Sequence, residues 1–268
     1  MTVHDNHPRR DSLLSRQKIV DAQNKGLLAD SALIAHGRGE AFDYLLGECT
    51  IPSARRAEEE SVNRLAAARR PVISLNGNST VLAGRDAVKL AALMGCKIEI
   101  NIFYRTASRV NLLSQTLNLI KNEVASENPS DEITSEIWSQ MVAGVEILGM
   151  SPDARIPGLE GPRANCCSQG IHSADTVLVP LEDGDRCEAL IQMGKQVLVV
   201  DLNPLSRTAR TANVTIVDNV SRAFNEMVKI ALEKPAPLDI AWDNRTALID
   251  AIDTMGKAAI RSFNQTTN

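Results

Sequence analysis

Short apolar runs that stop abruptly on polar residues constrain this chain more than any other feature. The clearest is Val197-Leu198-Val199-Val200, which runs into Asp201-Leu202-Asn203-Pro204 and then Leu205-Ser206-Arg207-Thr208. A stretch apolar at every position, rich in β-branched residues, suits a parallel strand covered on both faces. Val72–Leu75, Ile98–Phe103, Thr176–Pro180 and Val214–Val217 have a similar character. Helical stretches separate most of these runs, as parallel neighbours require. The expected fold is therefore α/β: a doubly wound, mostly parallel, Rossmann-like sheet with flanking helices. We expect a single domain over residues 1–268, with a helical N-terminal segment over about 1–50 and a C-terminal helix over about 240–263.

Local signals fill in the rest. Asp11 or Ser12 can cap a helix that runs to about Asn24 and stops at Gly26. In Ala32–Tyr44, Gly37 and Gly39 flank Arg38, with His36 before and Glu40 after. This reads as a turn that offers Arg38 to an anion. A helix over Ser53–Arg70 ends at Pro71. Asn76-Gly77-Asn78-Ser79-Thr80 reads as a loop after a strand, with a helix from about Arg85 to Met94. Arg105 and Arg109, four apart at a helix start, are expected to share one face. A helix to about Lys121, a loop over 122–133 and a helix to about Leu148 follow, and Pro162 opens a short helix ending near Gly170. Glu182, Asp183 and Asp185 follow another strand. They suit magnesium held through water, a substrate ammonium, or an acid-rich helix start. Ser221 to Glu233 is a further helix.

Composition removes several classes of function. Aromatic residues are 3% of the chain and the net charge is -4, so neither base stacking nor a basic footprint marks a nucleic-acid binder. The five cysteines show no CxxC spacing, and no apolar run approaches the roughly 18 residues needed to span a bilayer. A cytoplasmic protein that binds neither nucleic acid nor membrane is expected. There is no GxGxxG and no Walker A loop, which speaks against a nicotinamide-dependent oxidoreductase.

What remains is one sheet edge carrying Asn, Arg, Asp and Thr. In open α/β sheets, ligands bind beyond the carboxyl ends of the strands. Asp201 and Asn203 stand where ribose hydroxyls or an adenine edge can be bonded, and Arg207 and Thr208 where phosphate oxygens can be. Taken alone, that stretch also reads as a strand and a capped turn. With no Cys-His or Ser-His-Asp grouping evident, such an edge favours charge stabilisation at transferring phosphorus centres over nucleophilic hydrolysis.

The blocks Leu33–Glu48, Val72–Asn78, Phe103–Thr106, Val179–Arg186 and Asp201–Thr208 occur in this order. Together they resemble the archaeal phosphopantothenate synthetase family, the 4-phosphopantoate–β-alanine ligases. The likeness runs from about His7 to Phe224 and is weakest over 122–143 and in the last 40 or so residues. It implies a homodimeric enzyme of coenzyme A biosynthesis. That enzyme would join 4-phosphopantoate to β-alanine with ATP, releasing AMP and diphosphate through an acyl adenylate. It also implies that ATP meets Arg16, Arg38, Asp201, Leu202, Asn203, Arg207, Thr208, Asn219 and Val220. Arg38 and Arg207 are the expected charge stabilisers. Asn101, Arg105, Arg109 and Arg163 are candidates for the phosphate and carboxylate of phosphopantoate. His36 is either a proton acceptor for the amine or a structural histidine. Magnesium is expected with ATP, with its ligands unassigned and no tightly bound cofactor. The alternatives are a nucleotide-binding protein serving another acid and amine, or a non-catalytic nucleotide sensor.

Overall fold

The computed structural model describes residues 4–181, 183–233 and 235–264. Helices α1 (Arg10–Asn24), α2 (Ser31–Leu46) and α3 (Pro52–Ala67) precede the first strand, β1 (Pro71–Leu75). Then come α4 (Gly77–Met94), β2 (Lys97–Ile100), α5 (Ala107–Ala125), α6 (Ser135–Ala143) and β3 (Ile147–Leu148). A small antiparallel hairpin pairs β4 (Ala154–Arg155) with β5 (Asn165–Cys166). β6 (Thr176–Pro180), α7 (Gly184–Gln192), β7 (Gln196–Val200), α8 (Arg207–Thr211), β8 (Val214–Ile216) and α9 (Val220–Leu232) complete the wound part. α10 (Asn244–Gly256) and α11 (Ala258–Asn264) close the described chain.

The main sheet has the order β3-β2-β1-β6-β7-β8, with every pairing parallel. The chain winds outward from β1 to β3 and then returns to start the other half at β6. The order of winding thus reverses between β1 and β6, and the connections after those two strands diverge to opposite faces. This bears out the expected doubly wound α/β fold. Alternation along β7 shows why its run is apolar throughout. Leu198 and Val200 face the core beneath α3, α4 and α9, while Val197 and Val199 face the smaller core beneath α7. Burying each such side chain fully contributes about 1.5–3 kcal/mol. α9 shows the helical version of the same logic, with Ala223, Phe224, Met227, Ile230 and Ala231 on its buried side.

Several local expectations need correction. The Gly37-Arg38-Gly39 turn does not exist: α2 runs unbroken through it and ends at Gly47, in the left-handed conformation. The helix tolerates the weak helix propensity of its two glycines, and Gly39 sits close to Leu202: a Cβ there would lie 3.3 Å from Leu202 Cδ1. The Asn76–Thr80 segment is not a loop but the start of α4. Asn76 accepts from the Ser79 N–H and Ser79 bonds back, a reciprocal cap that starts the helix well before Arg85. Neither Asp11 nor Ser12 caps α1, which starts after Arg9 without a side-chain cap. The helix expected to reach Leu148 stops at Ala143, and Ile147–Leu148 becomes the edge strand. The stretch after Pro162 is a three-residue turn of 3-10 helix, then β5, then a wide turn over Ser168–His172. The C-terminal helix is broken at Lys257 into α10 and α11.

One core group carries a measurable signature. Glu58 on α3 is fully buried, and neither carboxyl oxygen has a hydrogen-bond partner. Burial, aided by Asp218 and Glu226, raises its pKa to about 9 from an ordinary 4.5, with Arg55 and Arg222 opposing. The folded state therefore holds a proton that the unfolded chain releases. Stability from this group is complete below the unfolded pKa and is lost as pH rises towards the folded one. Between roughly pH 6 and 8, we expect wild-type unfolding free energy to fall up to about 1.4 kcal/mol per pH unit faster than that of Glu58→Gln. Urea titrations across that range check this, and parallel curves would contradict it.

Candidate active site

Two side-chain bridges tie the sides of the crevice at the strand reversal. Asn76, at the end of β1, accepts from Ser79 N with Oδ1 (3.0 Å) and donates from Nδ2 to the Leu181 carbonyl (2.9 Å) just after β6. Leu181 has φ of 58°, a rare conformation for a non-glycine residue, which turns its carbonyl into reach. A second bridge crosses the same gap. Asn101, following β2, donates to the carbonyls of Arg163 (3.2 Å) and Asn165 (3.0 Å). Its Oδ1 accepts from Arg163 Nε (3.3 Å), and Arg163 Nη1 reaches Asp183 (2.8 Å) at the start of α7.

Above this crevice lies a cavity of about 240 Å³, open to solvent on one side. Its wall is mostly apolar, from residues such as Leu28, Ala32, Leu82, Ile102, Leu181 and Leu202. Its polar groups include His36, Glu40, Asn76, Asn78, Arg109 and Arg163. One stripe of α2 supplies Ala32, Ala35, His36, Gly39 and Glu40, the spacing of a single helix face. Read as helical rather than as a glycine turn, the sequence already contained that stripe. Burial, aided by Arg16 and opposed by Glu40, lowers the His36 pKa, so its imidazole is neutral near pH 7. Burial alone would raise Glu40, but hydrogen bonds from Ser12 (2.7 Å) and Arg16 (3.1 Å) outweigh it and lower its pKa.

The nucleotide-type residues fall in two groups. Leu202, Asn219 and Val220 are part of the cavity wall. Arg38, Asp201, Asn203, Arg207 and Thr208 lie outside it, along the carboxyl edge of the sheet. Asp201 Oδ1 accepts from Asn203 N (2.9 Å) and Oδ2 from Ser206 Oγ (2.5 Å), while Asn203 Oδ1 accepts from Leu205 N (3.0 Å). These bonds shape the bend that starts α8. Burial raises the Asp201 pKa against those two bonds and the field of the exposed Arg38 guanidinium. Arg207 pairs with Asp185 and with Glu188 (3.3 Å), and Thr208 is buried beneath it.

Arg16 is held on α1 by Glu40, behind the cavity wall. The four substrate candidates also divide: Arg109 and Arg163 line the cavity, while Asn101 is buried behind Arg163 as its anchor. Arg105 does not share a face with Arg109. Thr106 caps α5, so Arg105 precedes the helix and donates to the Gly149 carbonyl (2.5 Å), whereas Arg109 turns to the Tyr104 carbonyl. Of the acidic trio, Glu182 lies outside the described residues. Asp183 caps α7 and pairs with Arg163, and Asp185 pairs with Arg207. Among the described residues, no group of three or more His, Cys, Asp or Glu side chains is placed to hold a metal ion. Nor is any described helix long and apolar enough to cross a membrane.

Residues 53–258 match the model of a family described as phosphopantothenate/pantothenate synthetase. The chain belongs to that family. It is 47% identical over 233 residues to a 4-phosphopantoate–β-alanine ligase of Thermococcus kodakarensis, covering 87% of this chain and 81% of the relative. The ligase of the same name from Methanosarcina mazei is 43% identical over 256 residues, covering 93% and 92% of the two chains. That from Thermococcus onnurineus is 46% identical, covering 86% and 80%. The resemblance seen in the sequence blocks is thereby borne out, and with it an enzyme of the phosphopantothenate-forming ligase type.

Gly184 packs against Arg207. A Cβ there would lie 2.3 Å from Arg207 Nε and 3.0 Å from its Cβ, so the arginine would have to move. Gly184→Ala is expected to stay folded and displace Arg207 from Asp185 and Glu188. A crystal structure of the variant checks this, and an unmoved Arg207 would contradict it.

Proposed function

We propose that this chain condenses 4-phosphopantoate with β-alanine to 4'-phosphopantothenate, using ATP and passing through an acyl adenylate. The observation that carries this reading is the junction of two unlike surfaces. A rim of arginine and aspartate at the ends of β6 and β7 adjoins a largely apolar cavity whose polar groups include Arg109 and Arg163. ATP suits the rim. An acid with an aliphatic middle and anionic ends suits the cavity.

Asp201 orients the ribose or the adenine, with Asn219 and Val220 alongside. Arg38 and Arg207 face the phosphates. The carboxylate of phosphopantoate attacks the α-phosphorus of ATP; a C–O–P bond forms and the bond to diphosphate breaks. The free amine of β-alanine then attacks the acyl carbon, AMP leaves with the bonding electron pair, and the amine proton passes to a base. Neither step needs a protein nucleophile. Both need anions held together and their charge offset, which is what preorganised arginines supply. His36, neutral on the cavity wall, is the proposed acceptor of that proton.

Asp183 and Asp185 are each committed to an arginine, which does not suit a resident magnesium cage. Magnesium is therefore proposed to arrive with the ATP phosphates, whose charge it offsets. A cytoplasmic homodimer belongs to the same proposal.

The test is AMP release. We expect it only with ATP, 4-phosphopantoate and β-alanine together, and much less with unphosphorylated pantoate. Arg38→Ala and Asp201→Ala should stay folded and lose about 10²-fold or more in rate. Near-wild-type AMP release by either variant would refute its role, and equal turnover of pantoate would refute the substrate.

A further inference from the structure

Two buried carboxylates and a half-buried arginine meet behind the nucleotide rim. Arg222, in the first turn of α9, donates from Nη2 to Asp43 Oδ1 (2.5 Å) and to Asp218 Oδ1 (2.5 Å). Its Nη1 reaches Asp43 Oδ2 (3.2 Å), and its Nε reaches Asp218 Oδ1 (3.0 Å). Asp43 lies on α2, little more than a turn beyond Arg38. Asp218 directly precedes Asn219. The two carboxylates are 4% and 1% exposed.

Both carboxylates also grip Asn219. Asp43 Oδ2 accepts from Asn219 Nδ2 (3.3 Å), and Asp218 Oδ1 accepts from Asn219 N (2.6 Å). Asp218 Oδ2 accepts from Thr50 Oγ1 (2.5 Å), which ties in the α2–α3 link. Asn219 in turn caps α9 through Ser221 N (2.9 Å) and lines the cavity, whereas Arg222 does not. One planar guanidinium therefore holds together two carboxylates that would otherwise repel each other. Without it, α2 and the β8–α9 junction lose their shared anchor.

We propose that Arg222 is a positioning residue for the nucleotide: it locks Asp43 to Asp218 and so fixes Asn219 against α2, without touching ATP. The proposal rests on the reading that Asn219 meets the nucleotide. It predicts a defect in ATP binding that travels through Asn219.

The test measures kcat, KM for ATP and melting temperature for Arg222→Met, Arg222→Lys, Asp43→Asn, Asn219→Ala and the Arg222→Met/Asn219→Ala double variant. Arg222→Met is expected to raise KM for ATP about tenfold or more while kcat at saturating ATP stays within about threefold. Arg222→Lys should not restore KM, because an ammonium cannot bridge both carboxylates in this geometry. In the Asn219→Ala background, Arg222→Met should change KM by no more than about twofold. A fall in kcat with unchanged KM marks a role in folding alone and overturns the proposal, as does a full additional effect in the double variant. Asp43→Asn carries the test if Arg222→Met fails to fold, since it leaves Arg222 and Asp218 balanced. A rise in KM of about threefold is expected there, and no rise overturns the proposal. If Asn219→Ala itself leaves KM unchanged, the nucleotide reading of Asn219 fails and the inference falls with it. If Asn219→Ala is impaired and Arg222→Met is not, only the inference fails.

Discussion

Helix α2 lies across the end of β7, with Gly39 against Leu202. A Cβ at Gly39 would lie 3.3 Å from Leu202 Cδ1, so the leucine tip would have to give by a few tenths of an ångström. The same helix sets Arg38 in the field of Asp201 and presents the His36–Glu40 stripe to the cavity. Arg38, that stripe and the Asp43 anchor thus all depend on where one helix sits. The N-terminal helices are not an appendage to the sheet but the third wall of its crevice.

Around this contact the charges are arranged so that few are idle. Arg16 is held by Glu40, Arg163 by Asp183, Arg207 by Asp185 and Glu188, and Arg222 by Asp43 and Asp218. Where the pairs are exposed, as at Arg207, water and salt weaken them, which suits the ligand-binding role proposed for that arginine. Where they are buried, as at Asp218, they hold geometry instead.

The sheet was legible because strands buried on both faces are apolar almost throughout. Val197–Val200 and Thr176–Pro180 were found nearly to the residue. Short edge elements such as β3, β4 and β5 carry too few residues to show a period, and they were missed. The error at Gly37–Gly39 has a different cause. Two glycines in three residues signal a turn locally, and only the fold shows that one of them lies in close contact with Leu202. Asn76 failed in the same direction for another reason: its Asn-Gly-Asn start resembles a loop, yet a reciprocal cap makes it a helix. In the site, strand-end residues such as Asp201 and Asn203 could be singled out from their position. The Asp43–Arg222–Asp218 cluster could not, because its members come from distant segments and each looks like an ordinary surface charge.

The most direct measurement is a crystal structure with a non-hydrolysable ATP analogue and 4-phosphopantoate bound together. The account predicts phosphates against Arg38 and Arg207, the nucleoside at Asp201, and the acid in the apolar cavity beside Arg109 and Arg163. Its carboxylate should lie within attacking distance of the α-phosphorus. A nucleotide seated away from α2 and the bend after β7, or an acid bound outside that cavity, would contradict it.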